Sequence, residues 1–389
     1  MMLSIFKIFF ALGWISFGGP AAHIGYFRNA FVEKRKWLDD QEYAQIVALS
    51  QFLPGPGSSQ VGFAIGYKRG GIGGACMAFL GFTLPSIFMM LALATLSSQL
   101  TEHSLFQHVI HGLKLLAVVV VADAAWGMYK NFCQQTLTVA LCIATAVALL
   151  VMPNISTQIL VLLISAFIGV KYLARPNLDA SSPFKPSIWP LALFVVFLAM
   201  PFVTPYLFGT IQSIALFGDF FQAGSLVFGG GHVVLPLLQN IVGDQLSSDS
   251  FLTGYAAAQA VPGPMFTFAT YIGYEMLPES PIIGAIVATV AVFLPGFLLL
   301  LGVLKNWQQL ASKPSVSGAI SGVNASVVGL LIAALYQPVF TSAVFNGLDM
   351  ALIVIGLFLL KQIKLPIVWM VVFFALSGGI GGAGLIPLS

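Results

Sequence analysis

The chain has 389 residues, of which 58% are apolar and only 7% charged, with a formal net charge of +3 and a mean hydropathy of +0.96. A soluble globular protein carries about 25% charged residues, so this composition excludes a cytosolic enzyme, a secreted disulfide scaffold and a disordered chain, and the small net charge leaves no footprint for nucleic acid. The apolar runs are long and continuous, which points to an all-α polytopic membrane protein and away from a barrel of alternating ten-residue strands.

Met1 to Phe17 is apolar, but Gly18, Gly19, Pro20 and more membrane-like sequence follow where a leader would show a small-residue cleavage site, so no cleaved signal is expected. His23 lies just beyond, then a basic stretch of Arg28, Lys34, Arg35 and Lys36 ending at Trp37. Residues 43–67 are long enough for one span, yet Pro54-Gly55-Pro56 sits at their centre, and two prolines remove two backbone donors. One span would also put the basic clusters at 28–36 and Lys68/Arg69 on opposite faces. A re-entrant hairpin satisfies both facts, since basic loops belong inside and irregular backbone is tolerated at membrane depth where it lines a cavity or is buried. Full crossings are expected near 71–97, 109–129, 132–151 and 158–174. A polar linker, Arg175 to Pro186, and an extra span near 188–208 follow. Cys76, Cys133 and Cys142 sit in apolar runs without metal-site spacing and are read as buried packing residues.

Beyond the linker the pattern returns. Phe17-Gly18-Gly19-Pro20 recurs as Phe228-Gly229-Gly230-Gly231, Gln51 with Pro54-Gly55-Pro56 as Gln259 with Pro262-Gly263-Pro264, Leu84-Pro85 as Leu294-Pro295, and Gly112 as Gly322. The order is kept and the spacing hardly drifts, as in a duplication. The expected units are residues 1–173, a linker with one extra helix over 174–210, and a second repeat over 211–389. Basic residues invert between them. In the first repeat they mark the loops near 28–36 and 68–69, whereas loops 243–250 and 275–281 of the second hold none. That is the signature of two inverted-topology repeats with re-entrant helical hairpins. Further crossings are expected near 282–304, 316–336, 348–360 and 365–385, giving nine in all, with the N-terminus inside and the C-terminus outside.

On these residues the chain resembles the chromate ion transporter family in its long, two-repeat form. The matching pieces are Phe17 to Pro20 with His23, Arg35-Lys36-Trp37, Leu53 to Pro56, Gly66, the Gly70 to Gly74 run and Leu84-Pro85-Ser86, with Phe228 to Gly231, Gln259, Pro262 to Pro264 and Phe293 to Gly296 in the second copy. The resemblance implies transport of the chromate dianion, usually outward, giving resistance. The second repeat departs from the pattern. Val242 to Ser247 has neither a base nor a tryptophan, and Gly296 stands where the first repeat has Ser86.

The paired Pro-Gly-Pro breaks read either as shared structural kinks or as half-helix ends whose amides face an anion. Gln51, Ser58, Ser59, Gln60, Gln259 and Thr267 beside them supply groups that solvate an oxyanion without a fixed counter-charge. The glycine turns read as close helix packing or as part of the same site. His23 and His232 either protonate to balance a dianion or serve as neutral hydrogen-bonding groups. His103, His108 and His111, near an outer loop, are given no role. Lys114 and Asp123 lie nine residues apart on one span, too far to pair. Lys114 is expected to snorkel outward, and Asp123 and Asp219 are candidate proton carriers. Arg28 and Arg35 either draw cytoplasmic anions or anchor topology.

The expected substrate is chromate, with isosteric sulfate or a passive anion channel as alternatives. The bilayer is the expected surrounding, in the cell inner membrane, and a homodimer is the expected assembly. No cofactor, metal site or catalytic constellation is read, so an enzyme is not expected.

Overall fold

The structure, a computed structural model, describes residues 1–17, 19–100, 104–174, 186–208, 211–228, 233–305 and 313–382. Gly18, Gly229, Gly230, Gly231, His232 and most of the linker lie outside the described residues. The regular elements described are all helical. The first repeat holds α1 (Met2–Ile15), α2 (Gly19–Phe27), α3 (Asp40–Phe52), α4 (Gly57–Leu100), α5 (Ser104–Phe132), α6 (Thr136–Val151) and α7 (Ile155–Tyr172), and α8 (Ile188–Phe208) follows. The second repeat holds α9 (Gln212–Leu226), α10 (Val234–Val242), α11 (Ser248–Ala260), α12 (Phe268–Met276), α13 (Pro281–Val303), α14 (Pro314–Ala334), α15 (Gly347–Phe358) and α16 (Ile367–Gly382).

Five of these helices are long and apolar enough to cross a membrane: Gly57–Leu96, Gln107–Phe132, Ile188–Tyr206, Pro281–Val303 and Pro314–Phe340. Helices α6, α7, α15 and α16 occupy the other expected spans and are shorter. Large apolar side chains such as Phe167, Val195, Phe202 and Ile282 point outward. An apolar exterior on this scale is a lipid-facing one. α8 belongs to it: its most apolar stretch is only 6% buried, and it leans on the bundle where Pro201 meets Gly218.

Local chemistry sets the hairpins. Asp39 caps α3 with a reciprocal box, its carboxylate accepting from the Glu42 amide at 2.7 Å. Ser247 caps α11 at the corresponding place. α3 ends before Pro54, and the next helix starts at Gly57. Glu42 and Lys68, at the far ends of the two arms, form an ion pair of 2.7 Å, and the Arg69 guanidinium lies 5.2 Å from the Trp37 ring. The 37–69 segment thus folds back on itself so that its two ends meet, with Pro54-Gly55-Pro56 between the arms. α4 then turns sharply, its helical backbone broken at Gly70 and at Gly71, where φ is +60°.

The two halves exchange partners. Gly112 of α5 packs so closely on α16 that a Cβ would stand 2.0 Å from the Phe374 carbonyl oxygen, and Gly322 of α14 stands equally close to Ser165 of α7. Each half lends the other the same helix, in the same contact.

One expectation fails here. Cys133 and Cys142 are buried, but Cys76 is exposed. It lies on the outer side of α4 beside buried Ala75 and Ala78. In a membrane helix an apolar neighbourhood is shared by the lipid face and the core.

Candidate functional site

The Pro-Gly-Pro tips do not face one another alone. Each is stitched to the residue that precedes the Phe-Gly-Gly motif of the opposite repeat. The Gly55 amide donates to the Val227 carbonyl at 2.7 Å, and the Gly263 amide donates to the Ser16 carbonyl at 2.8 Å. Ser16 and Val227 each precede the phenylalanine of their own glycine turn. Both glycines hold positive φ, +117° at Gly55 and +97° at Gly263, which residues with a Cβ rarely adopt.

A second pair of contacts crosses the same way. Ser86, after Pro85 of α4, donates its hydroxyl to the Pro262 carbonyl at 2.6 Å. Its counterpart Gly296, after Pro295 of α13, offers its carbonyl to Gln60 Nε2 at 3.0 Å, and the same amide group donates to the Pro54 carbonyl at 2.9 Å. Around them Phe63 stacks on Phe297 with ring centres 4.2 Å apart, and Phe79 meets Phe293 at 5.1 Å. Among the described residues, the two Pro-Gly-Pro segments, Ser16, Val227, Ser86 and Gly296 form one interlocked junction.

These bonds correct the expectation that the tip glycines present free amides to an anion: both amides are spent on carbonyls. Gln60 is likewise a brace, because its NH2 group holds two carbonyls. Unpartnered polar groups of the first repeat lie beside the tips instead. The hydroxyls of Ser16, Ser59 and Thr83 and the side-chain oxygen of Gln60 are buried without a hydrogen-bond partner. Ser59 is in the first turn of α4, where amides lack helical acceptors and the helix dipole is positive. Thr83 shares a face of α4 with Phe79 and Ser86 by helical spacing. In the second repeat Phe266, Thr267 and Phe268 occupy the places of Ser58, Ser59 and Gln60, and Thr267 turns its hydroxyl onto the Pro264 carbonyl at 2.8 Å. Among the described residues at the junction, the unpartnered hydroxyls therefore belong to the first repeat.

His23 completes it. The ring is fully buried. Nε2 lies 3.1 Å from the Ser16 carbonyl and Nδ1 lies 3.1 Å from the Ser58 hydroxyl, while Phe82 packs edge-on at 5.2 Å. Pro20 and Gly19 open α2, which carries the ring to this place. Gln51 points outward from α3, and Gln259 donates to the Met265 sulfur at 3.4 Å. Neither hydrogen-bonds the unpartnered hydroxyls.

The remaining candidates lie away from the junction. Lys114 does not snorkel: it is buried and pairs with Asp249 of α11, which is exposed. Asp123 is no isolated carboxylate, because Lys361 pairs with it. His111, given no role above, bonds at 2.8 Å to Asp349, a buried residue at the start of α15. Arg28 is held by Glu33 and by Asp40, the latter at 2.7 Å, and the Asp40 hydrogen bond raises its already high pKa. Arg35 donates to the Ala30 carbonyl at 3.2 Å. Two open cavities flank α14. One of about 440 Å³ is lined by Gln135, Thr138, Ser321 and Asn324, and the other, of about 550 Å³, by Asn154, Gln239, Ser248 and Gln337.

The duplicated sequence is matched by a known family, once in each repeat. Chromate transporter covers residues 3–170 and again residues 214–381. The chain belongs to the chromate transporter family. The second match begins and ends 211 residues after the first, the spacing that carries Ser16 onto Val227. Among relatives, the probable chromate transport protein of Synechococcus elongatus is 29% identical over 337 residues, 84% of this chain and 82% of its own. The chromate transport proteins of Cupriavidus metallidurans and Pseudomonas aeruginosa are each 27% identical, over 84% of this chain and 80% and 78% of their own lengths. No solved structure matches the chain. Membership in this family, with the apolar helices, makes the chain a membrane protein.

Proposed function

We propose that the chain is a secondary carrier that moves chromate, a tetrahedral dianion, out across the bacterial inner membrane, and that resistance follows from this efflux. Transport and not catalysis is the activity assigned. The observation that carries the reading is the crossed stitching of Gly55 to Val227 and Gly263 to Ser16. A site shared by two inverted repeats opens to either side as one repeat rocks against the other, and a junction of short tips is where such rocking makes and breaks contacts. Within it, the hydroxyls of Ser16, Ser59 and Thr83 and the first amides of α4 supply donors to an oxyanion, with no Lys or Arg hydrogen-bonded to them among the described residues. Donors of this kind bind a dianion weakly enough to release it. An inside-negative potential drives each leaving charge by about 2.3 kcal/mol per 100 mV, so no nucleotide is needed.

In this reading residues 1–173 and 211–389 are the inverted transport repeats, α8 with the linker joins them, and the hairpin tips lie near mid-membrane. Flux of labelled chromate and sulfate in proteoliposomes, with voltage imposed, tests it. Saturable chromate flux that shows counterflow and weakens on Ser59→Ala and Thr83→Ala supports a carrier with this site. Unsaturable flux indifferent to both changes contradicts it.

A further inference from the structure

His23 sits between the two stitches. The Ser16 carbonyl that accepts from Gly263 also faces His23 Nε2, and His23 Nδ1 faces the hydroxyl of Ser58, in the first turn after the other tip. A carbonyl only accepts, so Nε2 carries the proton. Nδ1 of the neutral ring therefore accepts, and the Ser58 hydroxyl spends its one proton on it. In this state Ser58 has no proton to offer an anion, although Ser59 and Ser16 beside it have hydroxyls without partners.

We propose that His23 couples proton binding to oxyanion binding by turning Ser58 round. A proton arriving from water bonds to Nδ1, and Nδ1–H then donates to the Ser58 oxygen. The Ser58 hydroxyl proton is released from the ring and points to the anion. No covalent bond to the anion forms. One proton enters, one positive charge is placed beside the α4 N-terminus, and one donor is added. The groups that touch the ring are the Ser16 carbonyl, just past α1, and Ser58 and Phe82 of α4, and beside it the Ile24 carbonyl accepts from the Tyr43 hydroxyl of α3 at 2.6 Å. None of these is a carboxylate. A buried charge needs a partner, so the proton stays only when the anion supplies one, and the two bind together. The loaded carrier then moves one net negative charge per chromate, and the potential supplies half the drive it gives the bare dianion. In the second repeat Val234 occupies the corresponding place, and His232 lies outside the described residues.

The inference rests on the proposed oxyanion site, and proton uptake separates the two. The full chain in weakly buffered detergent solution is mixed with chromate at a pH where free chromate is wholly a dianion. Binding is expected with uptake of about one proton per chromate. His23→Gln should bind about 10-fold or more weakly, with no proton uptake and an affinity that no longer changes with pH. Ser58→Ala should weaken binding and keep the uptake. Chromate binding by the unaltered chain without proton uptake overturns the coupling and leaves the site standing, as does uptake that survives His23→Gln. No chromate binding at all overturns both. Should His23→Gln fail to fold, the proton stoichiometry of the unaltered chain decides.

Discussion

A Cβ at Gly263 would stand 2.1 Å from the hydroxyl oxygen of Ser86, a residue of the other repeat, and that hydroxyl donates to the carbonyl of neighbouring Pro262. On the opposite side of the junction the clash at Gly55 is with backbone, 2.9 Å from Gly296 Cα. The two tips are equivalent in sequence but differ in what presses on them.

The difference predicts unequal rescue. Gly55→Ala and Gly263→Ala should both lower thermal stability and flux, each paying about 1–2 kcal/mol for positive φ alone. Ser86→Ala removes the oxygen that Gly263→Ala strikes, so the double variant should recover part of the loss. No side-chain change rescues Gly55→Ala, because its obstacle is main chain. Equal behaviour of the two sites in melting and flux would contradict the crossed packing.

The Lys114–Asp249 pair predicts an asymmetry of its own. The lysine side chain is 7% exposed and the aspartate 74%. Asp249→Asn strands a buried ammonium, whereas Lys114→Met leaves a solvated carboxylate and keeps the packing stem. Asp249→Asn should be the more destabilising by about 2 kcal/mol, a value reduced because one partner is in water. Denaturation of the two variants in detergent measures it.

Topology follows from the hairpin whose ends meet at Glu42 and Lys68. Reporter fusions after Lys68, Lys171 and Lys361 should be cytoplasmic, and fusions after Ser248 and Ser389 periplasmic. A periplasmic reporter at Lys68 would make residues 43–67 a full crossing.

Arg28 and Arg35 are tied to Glu33, Asp40 and the Ala30 carbonyl. Their remaining influence on a cytoplasmic anion is long-range. Changing both to Gln should slow chromate flux at low salt, and the difference should vanish once screening shortens the Debye length below about 10 Å. Normal flux at every salt concentration would leave them as topology anchors.

The helix breaks, the duplication and the family were legible because Pro, Gly and their spacing act locally and survive in both copies. Which tip meets which was not, since the Gly55 partner is Val227, an apolar residue whose contribution is only its carbonyl. The same limit hid Ser16 and Thr83, whose value lies in having no partner. Asp123 looked isolated because its cation, Lys361, lies in the other half of the chain, and His111 looked idle because Asp349 does. Cys76 shows the converse: its local sequence was read correctly as apolar, but lipid and core impose the same composition.

The central claim is one oxyanion site at the crossed tips, beside Ser59 and His23. The most direct measurement is a structure of the full chain with chromate bound, with chromium located by its anomalous signal. The account predicts a single chromium site in hydrogen-bonding reach of the Ser59 hydroxyl and the first turn of α4. Chromium resting instead in the cavity beside Asn324, with the junction empty, would contradict it.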